Sequence, residues 1–126
     1  MDNYDVGIGT EQIMLDVNVG TVGVTATVVT VNNEKIASSK DGNNIVNVNI
    51  GSADKLKNSD LIIQTMIDIS HIENDLRTKA IENTVINYCL KGSSSELEDK
   101  IYDRNPSQLI WLSDCKVMIL KVIKLI

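Results

Sequence analysis

The stretch LIIQTMIDI, residues 61–69, alternates between two sets of side chains. One set is almost wholly apolar: Leu61, Ile63, Thr65, Ile67 and Ile69. The other set is mixed: Ile62, Gln64, Met66 and Asp68. Because successive side chains of a β-strand point to opposite faces, this period of two predicts a long strand with one apolar face.

Two stretches nearer the N-terminus show the same period. In the first, the apolar set is Ile13, Leu15, Val17 and Val19, and the intervening set is Met14, Asp16 and Asn18. In the second, Val22, Val24, Ala26 and Val28 alternate with Thr21, Gly23, Thr25 and Thr27. Each stretch predicts a strand, and Gly20 between them permits a tight turn or a bulge. We expect the threonine-rich face of the second strand to be half solvated.

Polar turns separate the strands that follow. Asn32 and Asn33 tolerate a positive φ and predict a turn before a short strand at 35–39. The Asp-Gly pair within residues 40–44 is a strong hairpin signal. The next strand has Val46, Val48 and Ile50 alternating with Asn47 and Asn49, and we expect its asparagine face to meet water or a partner. Residues 51–60 predict a polar connection, and residues 1–10 predict a flexible arm or an edge segment.

From residue 70 onward, short helices compete with strands. Ser70 and Glu73 have capping-box spacing, which predicts a short helix or an ordered loop over 70–79, followed by a strand over 84–90. Ser95 and Glu98 repeat this spacing, so a turn or two of helix is expected before Asn105-Pro106 ends it.

The last part of the chain is apolar. Residues 109–112 predict a short strand around Trp111. Residues 116–126 are rich in Val and Ile and favour a buried strand. A helix is the alternative, and it would place three lysines on one broad face, whereas a strand divides them between two faces: Lys116, Lys121 and Lys124.

These patterns predict a mainly β protein, an antiparallel β-sandwich or barrel of about seven to eight strands with one or two short helices. A length of 126 residues with 43% hydrophobic residues fits a single domain spanning 1–126. The chain has no Phe and one Trp. Its core must therefore consist of Ile, Val, Leu and Met, of which Ile and Val favour strands.

The charge of the chain argues against several classes of partner. The net charge is −5, and an acidic surface repels both a phosphate backbone and anionic lipids. We therefore expect no nucleic acid as a partner. Residues 117–126 are too few to span a membrane and contain two lysines, so membrane insertion is not expected. No secretory signal is visible, which favours a soluble cytoplasmic protein with reduced thiols at Cys89 and Cys115.

Few residues could support catalysis. His71 is the only histidine, and nothing in the sequence places a serine, Cys89 or Cys115 beside it as a nucleophile. The two cysteines are expected first as small core residues and second as a mutual disulfide. We therefore expect no catalytic, cofactor-binding or metal-binding residues, and a small hydrolase is the least favoured function.

Two groups of residues could supply oxygen ligands to a hard cation such as Ca²⁺. Asp41, Asn43 and Asn44 form the first group, but turn chemistry also explains them. The acidic run from Glu96 to Asp103 forms the second, and ion pairs with Lys100 and Arg104 on a solvated helical face explain it without a metal. A small-ligand or Ca²⁺-dependent binding module, using loops at one end of the sandwich, is the alternative function.

The apolar last strand motivates the leading hypothesis. If residues 117–126 are apolar on both faces, one face is left for another subunit. Trp111 lies between Ile110 and Leu112 and is expected to be a core or interface anchor. The sequence therefore predicts a non-catalytic interaction or assembly module that binds a protein partner or forms a homo-oligomer. The predicted interface residues are Trp111, Val117, Ile119, Val122 and Ile123.

Overall fold

The computed structural model describes residues 1–39 and 44–126, which form ten strands and three short helical segments. The strands are β1 (Asp2–Tyr4), β2 (Gln12–Gly20), β3 (Val24–Val31), β4 (Glu34–Ser38), β5 (Ile45–Ser52), β6 (Asp60–Asp68), β7 (Val85–Lys91), β8 (Lys100–Tyr102), β9 (Gln108–Trp111) and β10 (Lys116–Leu125). The helical segments are α1 (Ala53–Leu56), a 3₁₀ turn (Asn74–Leu76) and α2 (Arg77–Glu82).

The described strands form two sheets. The six-stranded sheet has the order β1-β10-β6-β3-β4, and β9 also pairs with β10. The four-stranded sheet has the order β5-β2-β7-β8. Among the described strands, β1 and β10 are the one parallel pair, and the other pairs are antiparallel. The predicted mainly β fold is confirmed, with more strands than predicted, and the two sheets make a β-sandwich.

The core lies between the two sheets and is built mainly from aliphatic side chains, as the composition predicts. The fully buried aliphatic members of β2, β6 and β10 come from every second position: Ile13, Leu15, Val17, Leu61, Ile63, Ile67, Val117, Ile119, Ile123 and Leu125. Tyr4 and Tyr88 are also fully buried. Each such aliphatic side chain contributes roughly 1.5–3 kcal/mol when it leaves water, so the alternation dictates which face of each strand turns inward.

The faces of β3 are the reverse of the prediction. Thr25 and Thr27 are buried, whereas Val24 and Ala26 lie on the exposed outer face. Inside the sandwich, the Thr27 and Thr65 hydroxyl oxygens are 3.1 Å apart and share a hydrogen bond. Because buried hydroxyls with a partner carry little desolvation penalty, threonine is tolerated in this core. Val24, Ala26 and Val28 are thereby left on the outside, whereas Val29 further along the strand is buried.

The prediction of a helix after Ser95 is wrong. The chain there has no helix and leads into β8, with Leu97 94% exposed and Ile101 69% exposed. A turn or two of helix is unstable without an apolar surface to pack on, so a capping signal is not sufficient. Over 70–79 the structure combines both alternatives, because a loop precedes the 3₁₀ turn and α2. Segment α1 was not expected within 51–60.

Residues 1–10 include an edge segment. Strand β1 pairs with the end of β10, and Tyr4 and Val6 are fully buried. The Val6 amide donates to the Ile126 carbonyl oxygen at 3.0 Å, and the Ile126 amide donates to the Tyr4 carbonyl oxygen at 2.9 Å. The turn at Asn32 and Asn33 has the predicted positive φ values. The hairpin turn predicted at 40–44 falls largely on residues 40–43, which lie outside the described residues.

Strand β10 carries a charged residue into the sandwich. Lys121 is 0% exposed, and its Nζ lies 2.6 Å from Asp2 Oδ2 and 3.1 Å from the Pro106 carbonyl oxygen. The same Nζ lies 5.6 Å from the centre of the Tyr88 ring, within range of a cation–π contact. Because Asp2 belongs to β1, this ion pair attaches the N-terminal strand to the body of the sheet.

Candidate interaction surface

The outer face of the six-stranded sheet is apolar across its centre. The strand registers align three rows of side chains on this face: Ala26, Met66, Met118 and Ile110; then Val28, Gln64, Leu120 and Gln108; then Thr30, Ile62 and Val122. Seven of these side chains are large and apolar. We call these three rows the outer patch. No described element of the chain covers the patch, since the core contacts of β3, β6 and β10 are made through the opposite face.

Charged residues border the outer patch at both ends of the strands. At one end Lys116 lies opposite Asp68, and at the other end Lys124 Nζ is 3.2 Å from Asp60 Oδ1. A hydrogen bond from the Ser70 amide to Asp68 Oδ1 holds the pKa of that carboxyl below its ordinary value, so it carries a negative charge at neutral pH. An apolar centre with a charged rim is the usual anatomy of a protein interface.

The outer face of the four-stranded sheet is mixed in character. Its central row pairs Asp16 with Cys89, and Lys91 Nζ lies 3.0 Å from Asp16 Oδ2. A hydrogen bond from the Asn47 amide, followed by the contact with Lys91, lowers the pKa of Asp16. The next row pairs Asn18 with Asn87. Exposed apolar side chains also occur on this face, with Val85 57% and Ile101 69% exposed, but the ion pair and the asparagines interrupt them. The two outer faces of the sandwich therefore differ in how continuous their apolar surface is.

Strand β9 extends the outer patch and is exposed along its whole length. It forms a hairpin with β10, closed by the Leu112 amide donating to the Lys116 carbonyl oxygen at 2.9 Å. Leu109, Ile110 and Trp111 remain 43%, 37% and 41% exposed. Leu109 and Trp111 belong to the inner side of β9, since they pair with the core residues of β10. Because both are exposed, the four-stranded sheet does not cover this side of β9.

A shallow depression of about 260 Å³ lies between β9 and β1 along β10. Strand β9 pairs with β10 up to Leu120, and β1 begins its pairing at Ile123, so neither strand covers the intervening residues. Leu120 and Val122 form the apolar part of the depression, with Met1 and Pro106 at its side. The depression continues the outer patch toward the N-terminal strand.

The predicted interface residues divide into two groups. Trp111 and the partly buried Val122 are accessible, and Val122 belongs to the outer patch. The other three are 0% exposed in the chain's own core, out of reach of a partner: Val117, Ile119 and Ile123. The accessible apolar face of β10 is instead formed by Met118, Leu120 and Val122.

The residues considered for catalysis are not brought together. His71 is exposed, and its Nε2 lies 3.0 Å from the Val22 carbonyl oxygen. Cys89 lies on the outer face of β7, where burial raises the pKa of its thiol, and Cys115 lies in the turn before β10. Both cysteines are free thiols.

The candidate oxygen ligands do not form a cluster in the described part of the chain. No group of three or more His, Cys, Asp or Glu side chains that could hold a metal ion occurs in residues 1–39 and 44–126. Asn44 Oδ1 accepts a hydrogen bond from the Val19 amide, which gives that side chain a structural role. Asp41 and Asn43 lie outside the described residues. Within the acidic run, Glu96 lies 3.7 Å from Lys100.

Met66, Met118 and Leu120 were not predicted as interface residues. The alternation in 61–69 and 116–126 already assigns them to the face opposite the core side chains. Their place in the outer patch was missed because its β3 members Ala26 and Val28 were expected to face inward. The missing signal was the pairing of Thr27 with Thr65, because β4, β5 and α1 lie between these two residues in the chain.

Comparisons with known proteins bring no relative. No family model matches this chain, and neither a curated protein sequence nor a solved structure is similar to it. Within the described residues, no helix has the length and apolar character needed to cross a membrane.

Proposed function

We propose that this protein is a non-catalytic assembly module, in which the outer patch contacts the same patch of a second copy. The observation that carries this proposal is the contrast between the two outer faces of one sandwich. On one face the Asp16–Lys91 ion pair and asparagines interrupt the apolar side chains Val85 and Ile101, and the other face bears three adjacent rows that are mainly apolar. Contiguous exposed apolar surface with a polar rim marks interaction sites in proteins that function in water.

The charge distribution favours a second copy as the partner. Charged residues of both signs surround the outer patch: Asp60, Asp68, Lys116 and Lys124 at the strand ends, and Lys35 of β4 opposite Thr30. The face is thus close to neutral although the chain carries −5, so two copies can approach through it without the repulsion that their net charge would cause elsewhere. An isologous contact requires a self-complementary surface, and an apolar sheet face whose rim carries charges of both signs meets this requirement.

The size of the outer patch sets the expected strength of the contact. At ~3.3 Å per residue and ~4.8 Å between strands, the three rows cover roughly 300 Å² on each copy. This is small compared with the roughly 800 Å² per partner of a standard interface, so the association should be weak and should depend on concentration.

The proposal is tested by placing a charge in the centre of the outer patch. Met66 lies on β6, between Ala26 and Met118 in the same row. Met66→Lys should weaken self-association about tenfold, since it removes roughly 1–2 kcal/mol of apolar burial and puts like charges at the contact. Sedimentation velocity over a range of concentrations measures this change.

Asn87→Lys is the matched control, because Asn87 is also partly buried on the outer face of a central strand, but in the four-stranded sheet. This variant should associate as the unaltered chain does. Circular dichroism and thermal unfolding establish that both variants are folded. Equal association of the unaltered chain and Met66→Lys would refute the proposed contact.

A further inference from the structure

Strand β9 has one edge paired with β10 and one edge with no partner among the described strands. The Leu112 amide donates to the Lys116 carbonyl oxygen, so the backbone groups of Leu112 face β10. This bond shows which residues of β9 bond to β10 and which do not. In an antiparallel pair, residues that bond to the partner alternate with residues whose backbone groups point away from it. Gln108 and Ile110 therefore face β10, and the amide and carbonyl groups of Leu109 and Trp111 point to the free edge.

The other edges of the described sheets carry features that discourage pairing. Charged residues occur on β1, β4 and β8: Asp2, Glu34, Lys35 and Lys100. Strand β5 pairs with β2 through two register shifts and contains Asn47 with a φ of 50°. Charges and bulges are the usual protection of sheet edges against unwanted strands. Strand β9 has neither, and the sequence from Pro106 to Ser113 contains no charged residue.

We infer that the free edge of β9 pairs with the same edge of a second copy, antiparallel, about a two-fold axis at Ile110. In this register Ile110 lies opposite its counterpart, and Leu109 lies opposite Trp111 of the other copy. The outward backbone groups of Leu109 and Trp111 then bond to each other across the axis, which is the arrangement that an antiparallel ladder requires. No other two-fold register places both residues opposite each other.

A second copy fits this edge for two reasons. An extended strand is the structure that satisfies a row of free amide and carbonyl groups, and each copy presents such a row. The uncharged residues on both strands also place no like charges opposite one another. The result is one continuous sheet formed from the six-stranded sheets of two copies, with the outer patches side by side on the same surface.

This edge contact is separate from the face contact of the proposed function. The edge contact uses β9 backbone groups, whereas the face contact uses side chains centred on Met66. Two different isologous contacts on one chain produce assemblies larger than a dimer. Blocking the face with Met66→Lys should therefore leave a dimer held by β9.

The test is a disulfide between two copies across the proposed axis. In a chain with Cys89→Ser, Cys115→Ser and Met66→Lys, the variant Ile110→Cys should form a cross-linked dimer under mild oxidation. Residues facing each other in a pair without hydrogen bonds have Cα atoms ~4.5 Å apart, within the range that a disulfide can bridge. Val46→Cys in the same background is the control, since Val46 is exposed on the edge strand β5 of the other sheet.

The outcomes separate the edge contact from the face contact. Cross-linking of Ile110→Cys at least tenfold faster than that of Val46→Cys supports the edge register. Equal rates for the two variants would overturn it. If Met66→Lys abolishes all association, so that this background is monomeric, the edge contact fails and the proposed face contact stands. If Ile110→Cys cross-links and Met66→Lys associates as strongly as the unaltered chain, the face contact fails and the edge contact stands.

Discussion

Removal of the Asp2 carboxylate should destabilise the protein more than removal of the buried lysine that it contacts. Lys121 is 0% exposed, and its ammonium group is held by Asp2, the Pro106 carbonyl oxygen and the Tyr88 ring. Asp2→Ala leaves this cation inside the sandwich without its counter-charge. Breaking a buried pair in this way costs ~3–5 kcal/mol. The two remaining contacts offset part of that loss, so we expect about 3 kcal/mol.

Lys121→Met should cost less, about 1 kcal/mol. Methionine has a similar length and is apolar, so no charge remains in the core, and replacement of a buried ion pair by apolar residues is often close to neutral. The Asp2 side chain is 29% exposed and can be hydrated when its partner is absent. The double variant should be about as stable as Lys121→Met, because the carboxylate has no cation left to neutralise.

Urea denaturation followed by circular dichroism measures these free energies of unfolding. The matched control is Asp60→Ala, which breaks the Lys124–Asp60 pair on the same strand. The side chains of Lys124 and Asp60 are each more than one-third exposed. Such surface pairs contribute ~0–1 kcal/mol. If Asp2→Ala lowers the free energy of unfolding no more than Asp60→Ala does, Lys121 is not desolvated, and the expected cost of removing its counter-charge is wrong.

Three further predictions follow from other parts of the structure. Thr27→Val should cost ~1–2 kcal/mol by leaving the Thr65 hydroxyl without its partner, and thermal unfolding should show a smaller loss for the double variant with Thr65→Val. Because the folded-state pKa of Asp16 is lowered, its contribution to stability is present above the ordinary value of 3.8 and is lost as the pH falls through the folded-state pKa. Urea denaturation should thus show a weaker loss of stability on acidification below about pH 5 for Asp16→Asn, and an unchanged loss would contradict the assignment. Finally, the emission of Trp111 should shift to shorter wavelength with increasing protein concentration if β9 pairs between copies, and a constant emission maximum would count against that pairing.

The sequence predicts most of this fold because strict alternation within a strand shows which of its faces is buried. In 61–69 and 116–126, every second residue is buried in the structure, and all of these except Thr65 and Lys121 are aliphatic. A strand of this kind has one arrangement that removes its apolar set from water, so its orientation can be read locally. The division of the three lysines of β10 between its two faces also agrees with the strand interpretation.

Strand β3 shows where local reasoning fails. Over residues 24–28 its two faces carry Val and Ala on one side and Thr on the other, and hydrophobicity favours burying the first. The structure buries threonines instead, and Thr27 shares a hydrogen bond with a residue 38 positions further along the chain. A hydrogen-bond partner so far along the chain cannot be recognised from the local sequence pattern. The same reversal places valine and alanine on the outer face and so creates part of the outer patch.

The candidate interaction surface was only partly predictable for the same reason. The sequence indicates that the last strand is apolar on both faces and that Trp111 lies close to it. The sequence does not reveal which face of β10 the four-stranded sheet covers. That depends on the pairing of β10 with β6 and on the positions of β1 and β9 along the other edge of β10. Val117 and Ile119 were therefore assigned to an interface, whereas Met118 and Leu120 occupy the accessible face.

Sedimentation equilibrium of the unaltered chain, from low micromolar to millimolar concentration, measures whether the protein self-associates. Assembly through the six-stranded sheet predicts a weight-average mass that rises reversibly with concentration, from the 13.9 kDa of one chain to at least twice that value. A mass that stays at 13.9 kDa over the whole range would contradict this assembly.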